Sequence, residues 1–259
     1  MLVKDVKFKD NKVEIVTSNG SFFISKENYI ENPIANDSSI DQKRIDYLLE
    51  YERVILAKTN IIKTLNKKIL SEYSVRKKLK DDGLNNKEIS EIINSLLRMG
   101  LLNDEYYASV KLDSLLMKKK GKLEIRKELS EEKININFIN KCIDSIEDEI
   151  YLNNFNKVKE KYLKMYSNKA SKVKEQMVKL KLKEYGYEEE LINCVNVSKD
   201  NNSEVELARV QLAKLLKNKQ YSLNDSMIVN KIRAKLMAKG FSYDIINVVL
   251  EEVKEHETY

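Results

Sequence analysis

The sequence predicts a mainly α-helical protein, in which an elongated array of four tandem three-helix repeats follows a small β-rich segment at the N-terminus. The first observation is the composition, because helix-breaking residues are rare, with 6 Gly and 1 Pro in 259 residues. The abundant Lys, Glu and Leu lose little side-chain freedom in a helix. The second observation is an apolar pattern that recurs four times along the chain. The third is that strand-like alternation is confined to its beginning.

The N-terminal segment, residues 1–40, is predicted to hold a three-stranded meander and a linker. Runs rich in β-branched and aromatic residues occupy 2–8, 12–17 and 21–25. Asn19-Gly20 is typical of a two-residue hairpin turn, because both residues tolerate positive φ. Strands this short need a helix to cover their apolar face. The polar stretch from Asn28 to Ser39, which contains the only proline, predicts a linker.

The repeats begin after this segment, as four ten-residue stretches that align without gaps at 75–84, 125–134, 178–187 and 232–241. In each stretch an apolar residue is followed four positions later by Leu, which places both on one helix face. Gly83, Gly186 and Gly240 then stand just past the helix end, where a left-handed residue closes the helix. Lys133 holds this position in the second copy, so we expect strain or a different cap there.

Each cap is followed by a further apolar residue and then by an apolar stripe on the next helix. The cap positions are 50, 53 and 54 residues apart, which leaves room for a third helix before each repeated pair. We place the four three-helix units at 41–102, 103–150, 151–202 and 203–259. Units of this size cannot bury their apolar stripes alone, so we expect neighbours to stack into a curved array.

The sequence lacks the residue patterns of most catalytic sites, and we expect the protein not to be an enzyme. The only histidine, His256, lies in a charged segment near the C-terminus, which argues against a Ser-His-Asp or Cys-His site. Cys142 and Cys194 are too far apart to form a zinc pattern, and we expect both to be buried thiols. No glycine-rich phosphate-binding loop is present. We therefore expect no cofactor and no metal, and a carboxylate-only nuclease is the remaining enzymatic alternative.

The net charge of the chain limits the kinds of partner that it can bind. The net charge of +6, from 47 basic and 41 acidic residues, permits a polyanionic partner without requiring one, since a lysine-rich solvated surface explains it equally well. No stretch resembles a signal peptide, and no run approaches the ~20 apolar residues of a membrane span. We therefore expect a cytoplasmic protein that does not associate with membranes.

Basic residues on the second helix of each repeat are the candidate partner-binding residues. One of them directly follows the first apolar position in every copy: Arg76, Arg126, Lys179 and Arg233. In a stacked array they would recur at regular intervals along one side, which suits a long helical partner. The neighbouring candidates are Lys77, Lys80, Lys118, Lys119, Lys120, Lys122 and Lys127. The alternative is that these long side chains only cover the edge of the core.

Three stretches carry a resemblance to the RecX family, the bacterial regulators of the RecA recombinase. The run Gly100-Leu101-Leu102-Asn103-Asp104-Glu105-Tyr106-Tyr107-Ala108 resembles the family's junction between its first two units, G-[LY]-[LI]-[DN]-D-x-x-[FY]-A. Lys239 to Ile246 is similar to its closing R-G-F-x-x-x-x-I segment, and Ser74 to Leu79 resembles its first unit. The likeness covers about residues 45–255. Many members have three units, whereas four units and an N-terminal β-rich piece look like the longer form of Gram-positive bacteria.

The resemblance implies a regulator in DNA repair, DNA recombination and the SOS response. Such a protein binds the RecA filament on single-stranded DNA and inhibits its ATPase, recombinase and coprotease activities, without catalysing a reaction. We expect it to act as a monomer, with weak direct binding to DNA. The alternative is a stand-alone basic helical protein that binds nucleic acid, because three-helix units with basic second helices also suit DNA grooves.

Overall fold

The computed structural model describes residues 1–197, 201–217 and 225–257, and over these residues the chain is predominantly helical. Three strands come first: β1 (Val3–Phe8), β2 (Lys12–Thr17) and β3 (Gly20–Ser25). Thirteen helices follow within the described ranges: α1 (Lys26–Glu31), α2 (Gln42–Leu65), α3 (Glu72–Asp81), α4 (Asn86–Arg98), α5 (Asp104–Met117), α6 (Lys122–Glu131), α7 (Ile136–Asp144), α8 (Asp148–Met165), α9 (Ser171–Glu184), α10 (Glu189–Asn193), α11 (Asn201–Leu216), α12 (Ser226–Met237) and α13 (Tyr243–Glu257). After α1, the helices form four consecutive sets of three. The predicted fold class, mainly α with tandem three-helix repeats behind a small β-rich segment, is confirmed.

The chain divides into two compact units. Unit 1 contains Met1–Ser109 and Glu132–Asn135, and unit 2 contains Val110–Glu131 and Ile136–Tyr259. Unit 1 therefore holds the sheet and helices α1 to α4, and unit 2 holds helices α6 to α13. Helix α5 begins in unit 1 and continues in unit 2.

In unit 1 the strands form an antiparallel sheet in the order β1-β2-β3. Thr17 pairs with Gly20, so the turn residues are Ser18 and Asn19, one position before the predicted pair. The inner face of the sheet packs against the start of α2, in a core of Val3, Val13, Ile15, Ile24, Ile34, Ile40, Ile45 and Leu48. Helix α2 thus covers the short strands, as they require.

The segment from Asn28 to Ser39 is packed against the sheet and α2, so the linker prediction is wrong. Helix α1 begins after Ser25, whose hydroxyl accepts the backbone N–H of Asn28 at 3.2 Å. The buried Asn28 amide donates to the Leu48 carbonyl at 2.9 Å and to Glu52 at 3.1 Å. The polar side chains that suggested a solvated linker instead satisfy buried groups of neighbouring elements.

The second half of α2 belongs to the first three-helix repeat. It packs with α3 and α4 around a separate core in unit 1, formed by Ala57, Ile61, Val75, Leu79, Leu84, Ile89, Ile92, Ile93, Leu96 and Leu102. One long helix therefore serves both the sheet and the first repeat.

The aligned columns of the repeats occupy equivalent environments. The two apolar positions four residues apart on each second helix are fully buried: Val75 and Leu79, Ile125 and Leu129, Val178 and Leu182, Ile232 and Leu236. The residue after each cap and the first stripe position of the third helix are buried as well: Leu84, Ile134, Tyr187, Phe241, Ile89, Ile139, Ile192 and Ile246. The pattern in the sequence thus reports a structural repeat.

In each of the four repeats, a residue in the left-handed conformation ends the second helix. The φ angles are 83° at Gly83, 57° at Lys133, 84° at Gly186 and 93° at Gly240. In the three glycine-capped copies, the N–H of the next residue donates to the carbonyl five residues earlier at 3.2–3.3 Å, as in a Schellman motif. Lys133 adopts the same backbone conformation, at a steric cost of about 1–2 kcal/mol. We expected either strain or a different cap at Lys133, and the structure shows the same cap with a strained backbone.

Successive repeats of unit 2 meet through backbone contacts. At the start of α6, Gly121 donates its N–H to the Tyr185 carbonyl at 2.7 Å, and a Cβ on Gly121 would lie 2.2 Å from the Gly186 oxygen. At the start of α9, Ala170 donates its N–H to the Lys239 carbonyl at 3.1 Å. The second helix of one repeat therefore begins against the cap of the second helix in the next repeat.

The junction motif before α5 provides the N-cap of that helix. The Asn103 side chain accepts the N–H of Tyr106 at 2.9 Å, which starts the helix. Asp104 has a different role, because its carboxylate accepts the backbone N–H of Glu72 at 2.8 Å. Ala108 is fully buried.

The cysteine prediction is half right. Cys142 is buried on the apolar stripe of α7, whereas Cys194 is exposed. Cys194 lies between the buried Ile192 and Val195 at the end of a short helix, where its side chain leaves the stripe. Over the described ranges, no helix has the length and apolarity that crossing a bilayer would take.

Candidate partner-binding surface

The four basic residues that follow the first apolar column are all half-buried on their second helices, and each has a polar partner. Arg76 and Lys179 pair with glutamates one turn earlier on the same helix, at 2.7 Å and 2.8 Å. Arg126 and Arg233 donate instead to asparagine side chains on the third helix, at 2.8 Å and 3.2 Å. The covering role that the sequence left open is therefore only part of their chemistry, because each head group is oriented by a specific bond.

Three candidate residues line one groove between α3 and α4. This groove has a volume of about 660 Å³ and is formed by Tyr73, Arg76, Lys77, Lys80, Asp81, Asn86, Ile89 and Ser90. Lys77 and Lys80 are exposed at its edge. The groove has an apolar floor, and its two exposed lysines can attract an acidic side chain of a partner, whereas Arg76 is already paired with Glu72.

The lysine-rich loop between α5 and α6 is held in place within unit 2. Lys119 has a φ of 59°, and its carbonyl accepts the Tyr187 hydroxyl at 2.9 Å. The Lys120 ammonium lies 5.5 Å from the centre of the Tyr185 ring. It also pairs with a glutamate of α6 at 3.6 Å. A loop held this way presents its charges at fixed positions, and Lys118 is its most exposed lysine.

The remaining two candidates, Lys122 and Lys127, both lie on α6. The Lys122 ammonium lies 4.7 Å from the centre of the Tyr151 ring, which attracts it by a cation–π interaction. Lys127 is exposed and pairs with Glu124 at 3.8 Å. Burial and a hydrogen bond to a neighbouring glutamate raise the pKa of Tyr151, so this ring stays neutral under the lysine.

A second basic groove, in unit 1, was missed by the sequence interpretation. It lies between the end of α2 and α3, has a volume of about 590 Å³, and is lined by Asn60, Lys63, Thr64, Lys67, Lys68, Lys78 and Asp82. The four lysines are exposed, and over the described residues none of them forms an ion pair. The run Lys63-Thr64-Leu65-Asn66-Lys67-Lys68 was the available signal. Lysines are common at the C-terminal end of a helix, where they favour the negative end of the helix dipole, so this run alone does not indicate a groove.

These arrangements of lysine and arginine can hold anionic groups. Within the ranges that the structure describes, no three His, Cys, Asp or Glu side chains lie close enough to hold a metal ion. Asp104 has a raised pKa because it is partly buried and faces Glu72 and Glu132, although the N–H of Glu72 offsets part of the effect. Its surroundings are those of a structural junction. The side chain of His256 lies outside the described residues.

Comparison with known proteins finds similarity to proteins and structures named RecX. A sequence profile described as "RecX, third three-helix domain" matches residues 202–250. A protein of Listeria welshimeri named "Regulatory protein RecX" is 27% identical over 241 residues, covering 90% of this chain and 88% of the relative. A solved structure titled "Crystal structure of regulatory protein RecX" has a TM-score of 0.62 at 18% identity, covering 74% of this chain and 97% of its own. A structure of RecX from Lactobacillus salivarius has a TM-score of 0.50 at 23% identity, covering 55% and 94%.

Proposed function

The chain belongs to the RecX family of regulatory proteins, and on that premise we propose that it binds the RecA filament on single-stranded DNA and inhibits RecA. The inhibited activities are ATP hydrolysis, strand exchange and the coprotease function. The protein acts as a monomer in the cytoplasm and catalyses no reaction itself. Its repeats span 41–102, 103–150, 151–202 and 203–259.

The recurrence of one basic position along the repeats is the observation that carries this proposal. The apolar residue before it is fully buried in every copy, so the backbone places each basic residue at the same position of its helix. A protein filament presents the same surface on each successive protomer. A binder that repeats its own basic position can contact several protomers at once, which raises avidity without any single strong contact. Bridging protomers would oppose the changes that the filament needs for turnover.

The test is the ATPase rate of RecA on single-stranded DNA, measured against increasing amounts of the purified full chain. We expect the rate to fall with the added protein, and the protein to sediment with preformed filaments. Parallel tubes with DNA alone and with RecA alone separate filament binding from binding to either component. Failure to sediment with filaments, together with an unchanged ATPase rate, would refute the proposal.

The groove of Lys63, Lys67, Lys68 and Lys78 favours a second function, direct binding to nucleic acid. Four ammonium groups that lack carboxylate partners over the described residues suit a phosphodiester backbone. Binding through four phosphates of single-stranded DNA gives a slope of log K against log salt of about −3.

A matched pair of variants tests this second function by fluorescence anisotropy on labelled single-stranded DNA. Changing the four groove lysines to Gln should weaken binding and flatten the salt dependence. The control changes four lysines that already face carboxylates: Lys7, Lys9, Lys181 and Lys183. Both variants lose the same charge, so equal losses of affinity would contradict a specific role for the groove.

A further inference from the structure

The four basic positions are not equivalent, because the residue one turn earlier differs between the repeats. In the first and third repeats it is Glu72 or Glu175, and the ion pair with Arg76 or Lys179 runs in the stabilising direction, with Glu N-terminal to the base. These two positive charges are therefore neutralised within their own helix.

In the second and fourth repeats the glutamate is replaced by Lys122 and Val229. Here Arg126 donates to Asn140 at 2.8 Å, and Arg233 donates to Asn247 at 3.2 Å. The two asparagines occupy the same position of the repeat, directly after the buried Ile of the third helix. A neutral amide orients a guanidinium without cancelling its charge, and over the described residues neither arginine forms an ion pair.

The fourth repeat also contains a buried donor that lacks an acceptor. The Nε atom of Arg233 is buried and has no hydrogen-bond partner among the described residues. Its guanidinium also lies 5.5 Å from the centre of the Tyr243 ring. A buried N–H without an acceptor costs free energy, so this side chain is incompletely satisfied within its own repeat.

The third helix of both these repeats begins with an exposed apolar side chain. Tyr243, the first residue of α13, is 54% exposed, and Ile136, at the equivalent position of α7, is 55% exposed. The first and third repeats have Asn86 and Glu189 at this position. An arginine together with an exposed apolar side chain on the next helix fits an acidic residue of a folded protein, because such a residue is flanked by apolar surface of its own chain.

We propose that Arg126 and Arg233 bind acidic side chains of the protein partner, whereas Arg76 and Lys179 do not contribute binding energy. The contact surface thus uses residues of alternate repeats, the second and the fourth, and Arg126 and Arg233 both lie in unit 2. This inference rests on the proposed function, since the partner that supplies the acidic side chains is the RecA filament.

The experiment compares two double variants of the full chain in the RecA ATPase assay. Arg126→Gln with Arg233→Gln should raise the concentration needed for half-inhibition by at least about tenfold, because two half-buried charged contacts are lost. Arg76→Gln with Lys179→Gln removes the same charge and should shift it by less than about twofold. Circular dichroism and thermal melting of both variants establish that each remains folded.

Two results would overturn the inference. One is an equal or larger loss in the Arg76/Lys179 variant, which would make all four positions equivalent. The other is a matching loss of affinity of the Arg126/Arg233 variant for naked single-stranded DNA, which would identify phosphate as the ligand. If the unaltered chain neither binds nor inhibits filaments, the proposed function itself fails, and this outcome is visible before any variant is compared.

Discussion

Two glycines with the same backbone conformation allow the energetic contribution of the close contact between successive repeats to be measured. Gly83 and Gly186 have φ angles of 83° and 84° at equivalent caps. A Cβ on Gly83 would meet only the Arg53 side chain, at 3.5 Å, whereas a Cβ on Gly186 would lie 2.4 Å from the backbone nitrogen of Glu124. Alanine at either site carries the same conformational strain, about 1–2 kcal/mol. Only Gly186→Ala adds overpacking against backbone, which costs a further 1–3 kcal/mol or so.

The expected difference between the two variants is therefore about 2 kcal/mol in the free energy of unfolding. In a chain of this size it corresponds to roughly 4–8 °C in melting temperature. Urea unfolding followed by circular dichroism measures this difference in the free energy of unfolding. Because the two glycines lie in different units, each variant is compared with the unaltered chain in the transition that it affects. Equal destabilisation by Gly83→Ala and Gly186→Ala would refute the argument, because strain alone would then explain both.

Three further predictions concern single side chains. Burial raises the pKa of Asp104, and the nearby carboxylates of Glu72 and Glu132 raise it further, so ionisation of this group costs stability in the folded state. Its contribution to stability is therefore full below its unfolded pKa and is lost as the pH rises through the folded pKa. Asp104→Asn should therefore stabilise the chain near pH 7, and this gain should vanish in acid. Urea titrations of the variant and the unaltered chain measure the gain at pH 7 and at pH 4, and equal gains at the two pH values would contradict the prediction. Tyr187→Phe should cost about 1 kcal/mol by removing a 2.9 Å hydrogen bond to the loop before α6, and a melting temperature equal to that of the unaltered chain would count against this bond. In the native protein a thiol reagent should modify Cys194 rapidly and Cys142 only on unfolding; equal rates would contradict the assigned burial.

The repeat could be predicted from sequence because its determinants are local. A buried pair four residues apart, a left-handed cap and an apolar stripe are each set by neighbours within a few positions, and together they fixed the four copies. Lys133 shows the strength of this local code, since the cap position keeps its conformation without glycine. Helix α1 was missed for the opposite reason. Its buried Asn28 is satisfied by Glu52, 24 residues away in the sequence, and no local pattern reports such a partner.

The candidate surface was only partly predictable for the same reason. The glutamates one turn before Arg76 and Lys179 are visible in the sequence, but their effect on charge depends on which alternative partners the fold supplies. Asn140 lies 14 residues from Arg126, across the turn between two helices. The groove at the end of α2 likewise needs α3 beside it, because Lys78 comes from that second helix.

Burial and recognition are separable in this architecture. The columns that carry the fold are apolar and inaccessible, so the residues beside them can change without disturbing the stacking of the repeats. A glutamate one turn before a basic residue removes its charge from the surface, and an asparagine across the turn leaves that charge available. One backbone design can therefore present a positive group on selected repeats only. The spacing of contacts along a partner is then set by which repeats lack the glutamate, and the number of repeats does not determine it.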